Sequence, residues 1–348
     1  MEIRKTVELT GHEILAKTLM TWDYQVILQE GCVIKKEYID KLIEHGIMEV
    51  AIRDEERNSQ IGILKMEVES VAKQKVRDIL GRHTYHYNDE LVKLTNTAEE
   101  IITTILEDDK IVEKVYDIKQ RSSDLYEHSI SVCSMATLTA LKMNLDKTLI
   151  HKLGIGALLH DVGLRYVTVA YEDRPLEEFC GKELTEYKKH PIYGYTALNE
   201  EEWISESSKN IILSHHEAID GSGYPRKARE LPIECRIVAV CEAFDEMICG
   251  IAKKRSLIHE AVEFLKASRG FTLDKEAVDT FLSFTAVYPA GTRVRTTQGE
   301  IAVVVRQNPE FQDRPVLRIL EDKDGNPVKT EVFKDMVKVT NIFIDSVL

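Results

Sequence analysis

The chain lacks a long apolar segment and any excess of positive charge. No stretch reaches the roughly 18 uninterrupted apolar residues of a membrane helix, because charged residues break up even the richest window, 233–252. The first ten residues contain no apolar core of the signal-peptide type. The formal net charge of −13 argues against non-specific binding of nucleic acid, which needs a basic face. We therefore expect a cytoplasmic protein that binds neither membrane nor nucleic acid.

Paired cysteine motifs are also absent. The 6 cysteines form no CxxC pair and no framework of regular spacing, which argues against a disulfide scaffold or a zinc ribbon. Free cysteines are among the most often buried residues. We expect reduced, buried thiols, as is usual for a cytoplasmic protein.

Three regions of different hydrophobic periodicity follow one another along the chain. Short alternating runs around one helix predict a small α+β module at the N-terminus, helical periods dominate the middle, and hairpin patterns with QG and DGNP turns follow Tyr288-Pro289. The predicted fold is mainly α, with a helical bundle core between two smaller modules. The predicted boundaries are 1–55 for the α+β module, 56–100 for a helical linker, 101–288 for the helical domain and 289–348 for the β-rich module.

The segment HHEAIDGSGYP, residues 215–225, carries most of the chemical information. It joins two adjacent imidazoles and two carboxylates to a Gly-Tyr-Pro turn, and imidazole and carboxylate are ligands for Fe, Mn or Zn. Adjacent helical residues diverge by about 100°, so His215 and His216 can reach two ions more easily than they can chelate one. A second pair, His160-Asp161, lies in LLHDVG, and the spacing between the two segments does not match a zinc finger or an HExxH helix.

Further candidates lie in the same helical region. His128 and His190 stand in the segments DLYEHS and KKHPIYG, while Asp161, Glu242 and Asp245 are carboxylates that can bridge ions. Two ions about 3.5–4 Å apart can activate water for attack on phosphorus. The other histidines have no such context, and we interpret them as ordinary surface or core residues: His12, His45, His83, His86, His151 and His259.

On these residues the chain resembles the HD-GYP branch of the HD phosphohydrolases, which hydrolyse the bacterial second messenger cyclic di-GMP. The resemblance spans LLHDVG, the HP..G segment at 190–194, HHEAIDGSGYP and the stretch LPIECRIVAVCEAFDEM. It implies a helical bundle that holds two or, in a subgroup, three divalent ions, with iron or manganese favoured. The implied catalytic pair is His160 and Asp161, and the implied metal ligands are His128, His160, Asp161, His190, His215, His216, Glu242, Asp245 and Asp124.

Several substrate-handling residues depart from this pattern. The family's HDIGK lysine, which reaches the scissile phosphate, is replaced by Leu164, and Arg165 follows it. Arginine supplies charge but does not readily give up a proton. The family's phosphate-binding arginine in S-D-R-P-Y-R is replaced by Ile251, with Lys254 nearby. The expected substrate-binding residues are therefore Gly223, Tyr224, Pro225, Lys254 and Arg165.

Two ligand positions differ as well. Glu242 stands where the family carries Asp, and its extra methylene displaces the carboxylate oxygens. Asp124 lies four residues before His128, where the three-metal subgroup carries Glu. Residues i and i+4 share a helix face, so Asp124 either helps a third ion or caps the helix.

Three functions follow from these residues. The first is hydrolysis of cyclic di-GMP to the linear dinucleotide pGpG and on to GMP. The second is a non-catalytic scaffold that binds metal and nucleotide and serves protein signalling partners. The third is hydrolysis of another nucleotide, because the lysine and arginine positions have changed. The sequence leaves open a homodimer and the input that the N-terminal module senses.

Overall fold

The computed structural model has the mainly helical fold that the sequence predicts. It describes residues 125–172 and 174–348 without a gap and, before them, 2–6, 9, 14–15, 19–20, 26–28, 32–44, 47, 49–53, 63–64, 66–80, 89–108 and 116. Two compact units are present, one formed by residues 61–289 with 307–314, the other by 1–60, 290–306 and 315–348.

The first unit is the helical one. Its helices are α2 (Met66–Leu80), α3 (Asp89–Leu106), α4 (Leu125–Lys142), α5 (Lys147–Leu159), α6 (Gly181–Tyr187), α7 (His190–Leu198), α8 (Glu206–Ser214), α9 (Ile233–Cys249), α10 (Ile258–Ser268) and α11 (Lys275–Leu282). None of the helices in the described part of the chain is both long and apolar enough to cross a membrane.

Helix α4 forms the centre of this unit. Every residue from His128 to Ala140 is buried, because α2, α3, α5, α9 and α11 all pack against this one helix. A helix that is covered on all sides carries few charges, and α4 has serine, threonine and small apolar residues there instead. The polar side chains on α4 therefore need partners inside the bundle, and His128 is one of them.

The second unit contains β-sheets. Strands β1 (Glu2–Lys5), β2 (Ile14–Leu15) and β5 (Glu49–Arg53) pair antiparallel in the order β1-β5-β2, and β3 (Leu19–Met20) pairs with β4 (Val26–Leu28). Helix α1 spans Lys36–Glu44. A five-stranded antiparallel sheet in the order β10-β6-β7-β8-β9 is built from β6 (Arg293–Thr296), β7 (Ile301–Arg306), β8 (Val316–Glu321), β9 (Pro327–Asp335) and β10 (Ile344–Val347). The expected hairpins with QG and DGNP turns join β6 to β7 and β8 to β9.

A close backbone contact fixes the chain just after α5. Helix α5 ends at Leu159, and after His160 and Asp161 the chain enters a 3-10 turn, Val162–Tyr166, that packs against α7. At Gly163 a Cβ atom would lie 1.9 Å from the carbonyl oxygen of His190 and 2.6 Å from the amide nitrogen of Gly194. Only glycine allows this approach. Pro191 lies in the first turn of α7, where its missing N–H costs nothing.

The substitution Gly163→Ala tests this contact. Because the backbone of α7 cannot move away from the new methyl group without repacking, we expect the free energy of unfolding to fall by roughly 2–3 kcal/mol. Urea denaturation of the purified chain measures it. Gly181→Ala is the matched control, since no described atom lies within 4 Å of a Cβ there. Equal stability of the two variants would contradict this account.

Candidate metal centre

Five helices bring the predicted ligands to one buried place in the helical unit. His128 comes from α4, His160 and Asp161 follow α5, His190 begins α7, His215 and His216 follow α8, and Glu242 comes from α9. His128, His160 and His190 have no solvent-exposed surface, and Asp161 is 2% exposed. Charged and polar groups this deeply buried need paired charges or metal ions around them.

Backbone carbonyls orient three of the histidine rings. In each ring Nδ1 lies at hydrogen-bond distance from the carbonyl oxygen three residues earlier: His160 to Ala157 at 2.6 Å, His190 to Tyr187 at 2.8 Å and His215 to Ile212 at 2.9 Å. A carbonyl oxygen only accepts, so Nδ1 carries the hydrogen and donates it. Nε2 of the neutral ring is then an electron-pair donor, which is how metal-binding histidines are usually held.

The Nε2 atoms face one another in pairs. His128 Nε2 lies 3.1 Å from His160 Nε2, and His190 Nε2 lies 3.0 Å from His215 Nε2. His128 is oriented like the others, since its Nδ1 donates to Asp245 Oδ2 at 2.8 Å. Two electron pairs that face each other at this distance repel unless a proton or a cation lies between them.

Asp161 connects the two pairs of rings. Its Oδ1 lies 3.3 Å from His190 Nε2 and 3.4 Å from His215 Nε2, while its Oδ2 lies 3.4 Å from His160 Nε2 and 3.5 Å from His128 Nε2. One carboxylate thus directs one oxygen to each pair. A carboxylate in this arrangement would bridge two ions if one were bound at each pair of rings.

Glu242 completes the group around the first pair. Its Oε2 lies 2.9 Å from His160 Nε2 and 3.1 Å from His128 Nε2. Among the described residues, buried atoms without a hydrogen-bond partner include Asp161 Oδ1, His216 Nε2 and both carboxylate oxygens of Glu242. Buried polar atoms are nearly always satisfied in folded proteins. These nitrogen and oxygen donors suit divalent ions such as iron or manganese, so the residues fit a metal centre.

The electrostatics of the cluster point the same way. Burial lowers the pKa of His160, but the carboxylates of Asp161 and Glu242 outweigh it and raise that pKa to about 10. Burial also lowers the pKa of His128, but Glu242, Asp161 and Asp245 outweigh it and raise that pKa well above the usual value. Burial lowers the pKa of His215 and of His216, which favours the neutral form of these rings. The carboxylates thus attract positive charge to the rings of His128 and His160.

Two predicted ligands, Asp245 and Asp124, are not among the donors that the structure places around Asp161. Asp245 lies behind His128, where its Oδ2 accepts from Nδ1 and its Oδ1 accepts from Ser131 Oγ at 2.6 Å. This geometry makes it an orienting residue for His128, and metal binding by Asp245 stays a prediction. Asp124 lies outside the described residues.

The expected substrate-binding turn, residues 223–225, lies against His216. The ring of Tyr224 stacks on that imidazole, with centroids 4.6 Å apart and planes at 21°, and the Tyr224 amide donates to the His216 carbonyl at 3.1 Å. A Cβ at Gly223 would lie 2.4 Å from the Ala218 amide nitrogen. Glycine at this position therefore lets the turn, which continues into Pro225, fold back onto the histidine pair.

The two predicted cationic residues lie at different depths. Arg165 is half-buried in the 3-10 turn after Asp161, whereas Lys254 is exposed in the loop after α9. Leu164 is only 2% exposed and belongs to an apolar cluster that includes Phe179, Tyr187, Cys249, Ile251 and Ala252. The position of the family's lysine is therefore occupied by an apolar core residue.

Sequence reasoning missed Glu246. Glu246 is buried; its Oε1 lies 4.0 Å from His216 Nε2, and its Oε2 lies 3.0 Å from Lys253 Nζ. Burial raises the pKa of Glu246 to about 7, although Lys253 opposes the shift. A signal was available, because Glu246 follows Glu242 by four residues and so lies on the same face of α9.

Comparison with protein families gives two matches. A family described as HD domain matches residues 77–277, more than half of the chain, and one described as KOW domain associated with HD domain matches residues 294–348.

Curated relatives and a solved structure agree with the first match. The chain is 26% identical over 217 residues to a cyclic di-GMP phosphodiesterase from Pseudomonas aeruginosa, covering 62% of this chain and 52% of that protein. It is 30% identical over 205 residues to a cyclic di-GMP phosphodiesterase from Thermotoga maritima, covering 56% and 54%. The chain thus spans about half the length of the curated relatives it matches. An HDG"Y"P protein from Bdellovibrio bacteriovorus shares the fold, with a TM-score of 0.54 at 17% identity, covering 80% of this chain and 97% of that one.

Metal removal tests the centre directly. We expect Mn²⁺ to raise the melting temperature of chelator-treated protein, because an ion that binds only the folded state at a thousand times its dissociation constant stabilises it by about 4 kcal/mol. Asp161→Asn should abolish most of this increase. His151→Ala is the matched control, because its Nδ1 pairs with Glu99 away from the cluster. If Mn²⁺ stabilised wild type and Asp161→Asn equally, the cluster would not be the binding site.

Proposed function

The chain belongs to the HD domain family, and we propose that it is a metal-dependent phosphodiesterase that hydrolyses cyclic di-GMP in bacterial second-messenger signalling. The observation that carries the proposal is the Asp161 carboxylate, which directs one oxygen to each of two pairs of facing imidazoles. A paired-ion site of this kind suits hydrolysis of phosphate esters. The names of the relatives in Pseudomonas aeruginosa and Thermotoga maritima support the same reaction and substrate.

The inward-facing donors divide into two positions. His128, His160 and Glu242 with Asp161 Oδ2 would hold one divalent ion. His190 and His215 with Asp161 Oδ1 would hold the other, and a donor atom of His216 also lies within 4.8 Å of this second set. Iron and manganese suit this mixture of imidazole and carboxylate. Ions bound there would polarise a phosphate group and lower the pKa of water.

The chain's own residues position these donors and shape the cleft. Asp245 and three backbone carbonyls hold the Nδ1 hydrogens and aim Nε2 inward, so little reorganisation is needed when a substrate binds. Tyr224 covers one face of His216 and keeps water from that ring. We assign the border of the cleft to Gly223, Tyr224 and Pro225.

Charge on the substrate phosphates needs cationic partners beyond the ions. We assign this role to Arg165 and Lys254, which lie on the turn after Asp161 and in the loop after α9. Leu164 contributes neither charge nor a proton. Protonation of the leaving oxygen therefore falls to water or to another residue, and we expect a slow enzyme that opens the ring to pGpG and, by a second hydrolysis, forms GMP.

The burial of Leu164 favours one alternative function. Leu164 packs among Phe179, Tyr187 and Ile251. A centre that binds metal and nucleotide without hydrolysing the nucleotide needs no lysine at this position, so an apolar residue there is compatible with such a role. In that case the chain is a non-catalytic signalling scaffold that binds metal and nucleotide and serves protein partners.

Turnover of cyclic di-GMP by Mn- or Fe-loaded protein separates the two functions. We expect the wild type to form pGpG, and Asp161→Ala or His160→Ala to be slower by about 10³-fold or more, because each removes a donor on which the transition-state charge depends. His151→Ala should match the wild type and excludes a contaminating enzyme. Tight binding of cyclic di-GMP without turnover would support the scaffold, and faster turnover of another cyclic dinucleotide would contradict the substrate.

Leu164→Lys probes the missing donor. If the lack of a lysine ammonium at this position is what slows the proposed reaction, the new ammonium should raise kcat by about 10²-fold. Leu164→Met is the control, since it keeps the size without the charge, and melting curves of both variants report the cost of a buried lysine. A folded, metal-loaded lysine variant with unchanged kcat would contradict this reading and favour the scaffold.

A further inference from the structure

Possible metal donors form four sets among the described residues, and within each set the donor atoms lie within 4.8 Å of one another. One set, His128, Asp245 and Cys249, lies at the Nδ1 side of His128, away from the inward-facing Nε2 atoms. The other three sets are Asp161, His190, His215 and His216; His128, His160, Asp161 and Glu242; and His216, Glu242 and Glu246. Any two of these three sets have one residue in common. Asp161 joins the first two, His216 joins the first and third, and Glu242 joins the second and third.

The shared residues are also the ones with unsatisfied atoms. Asp161 Oδ1, His216 Nε2 and both oxygens of Glu242 are buried without a hydrogen-bond partner. The His216 side chain is 9% exposed, and Glu242 is 1% exposed. Two of these three residues belong to the third set. His216 and Glu242 also belong to the first and second sets, so their unsatisfied atoms lie where the third set meets those two.

The distance between His216 and Glu246 fits a shared ion. Nε2 and Oε1 are 4.0 Å apart, which is too long for a hydrogen bond. Two donors that bind one ion with bonds of about 2.1 Å can lie up to about 4.2 Å apart. An ion between these two atoms would satisfy both.

Lys253 fixes the orientation of the Glu246 carboxylate. Its Nζ lies 3.0 Å from Oε2 and is itself held over the Phe264 ring, 5.2 Å from the centroid. Because the ammonium occupies the Oε2 side, Oε1 is the oxygen that faces His216. A carboxylate fixed in this way loses less conformational entropy when it binds an ion than a mobile one does.

We propose that Glu246, His216 and Glu242 form a third cation position, which takes a divalent ion such as Mn²⁺. A single Nε2 binds one ion, so His216 serves this position and leaves Asp161, His190 and His215 to the neighbouring one. With three protein donors, the third position keeps open sites for water or a phosphate oxygen. It differs from the third ion that Asp124 suggests in the sequence. The inference rests on the proposed metal-binding role of this centre but not on hydrolysis.

Metal stoichiometry tests this position without any nucleotide. Chelator-treated protein is dialysed against saturating Mn²⁺, and bound metal per chain is measured by mass spectrometry and by calorimetric titration. We expect three ions in the wild type and two in Glu246→Gln, whose amide has the same shape but is a poor ligand. Glu234→Gln is the matched control: Glu234 is a buried glutamate on α9 that accepts from Ser207 Oγ at 2.6 Å. Equal stoichiometry and affinity in wild type and Glu246→Gln would overturn the inference.

Anomalous scattering from wild-type crystals with Mn²⁺ gives a second test that needs no variant. The inference requires a manganese peak within bonding distance of Glu246 and His216, besides two peaks next to Asp161. Peaks next to Asp161 alone would overturn it and leave the proposed hydrolysis intact. Three peaks in a protein that does not hydrolyse any cyclic dinucleotide would instead contradict the proposed function alone.

Discussion

The repulsion between inward-facing electron pairs is the constraint on which the centre depends. Two pairs of imidazole nitrogens approach to 3.0 and 3.1 Å, and the Asp161 carboxylate lies between the pairs. No neutral arrangement of these rings satisfies the contacts, since their Nδ1 hydrogens point away from the centre. Protons or cations must supply positive charge between the rings. The raised pKa of His160 agrees with this, because it shows that the surrounding carboxylates favour positive charge at that ring.

The helical unit places several of these inward-facing donors at helix ends. His160 and His215 follow the last turns of α5 and α8, where the carbonyl three residues earlier is available to accept from Nδ1. His128 lies inside the fully covered α4 and needs Asp245 for the same purpose. Gly163 lets the turn after Asp161 contact the backbone of α7. Rigid backbone contacts thus hold the donors so close together.

The sequence predicted much of this centre but not its full extent. The segments around His128, His160, His190 and His215 identified donors by residue type, and the family and the mainly helical fold that they imply are confirmed. Glu246 follows Glu242 by four residues on α9, but its approach to His216 was missed, because it depends on how α9 packs against the end of α8. The burial of Leu164 could not be predicted from the sequence either, because it depends on how the loop around Ile251 packs against this leucine.

Electron paramagnetic resonance of the Mn²⁺-loaded protein tests the central claim most directly. If the Asp161 carboxylate bridges two positions, the ions lie about 3.5–4 Å apart and their spins are exchange-coupled, so the spectrum is that of a coupled cluster. Asp161→Asn should lose the coupling. A wild-type spectrum with only the six-line signal of isolated Mn²⁺ at full loading would contradict the account.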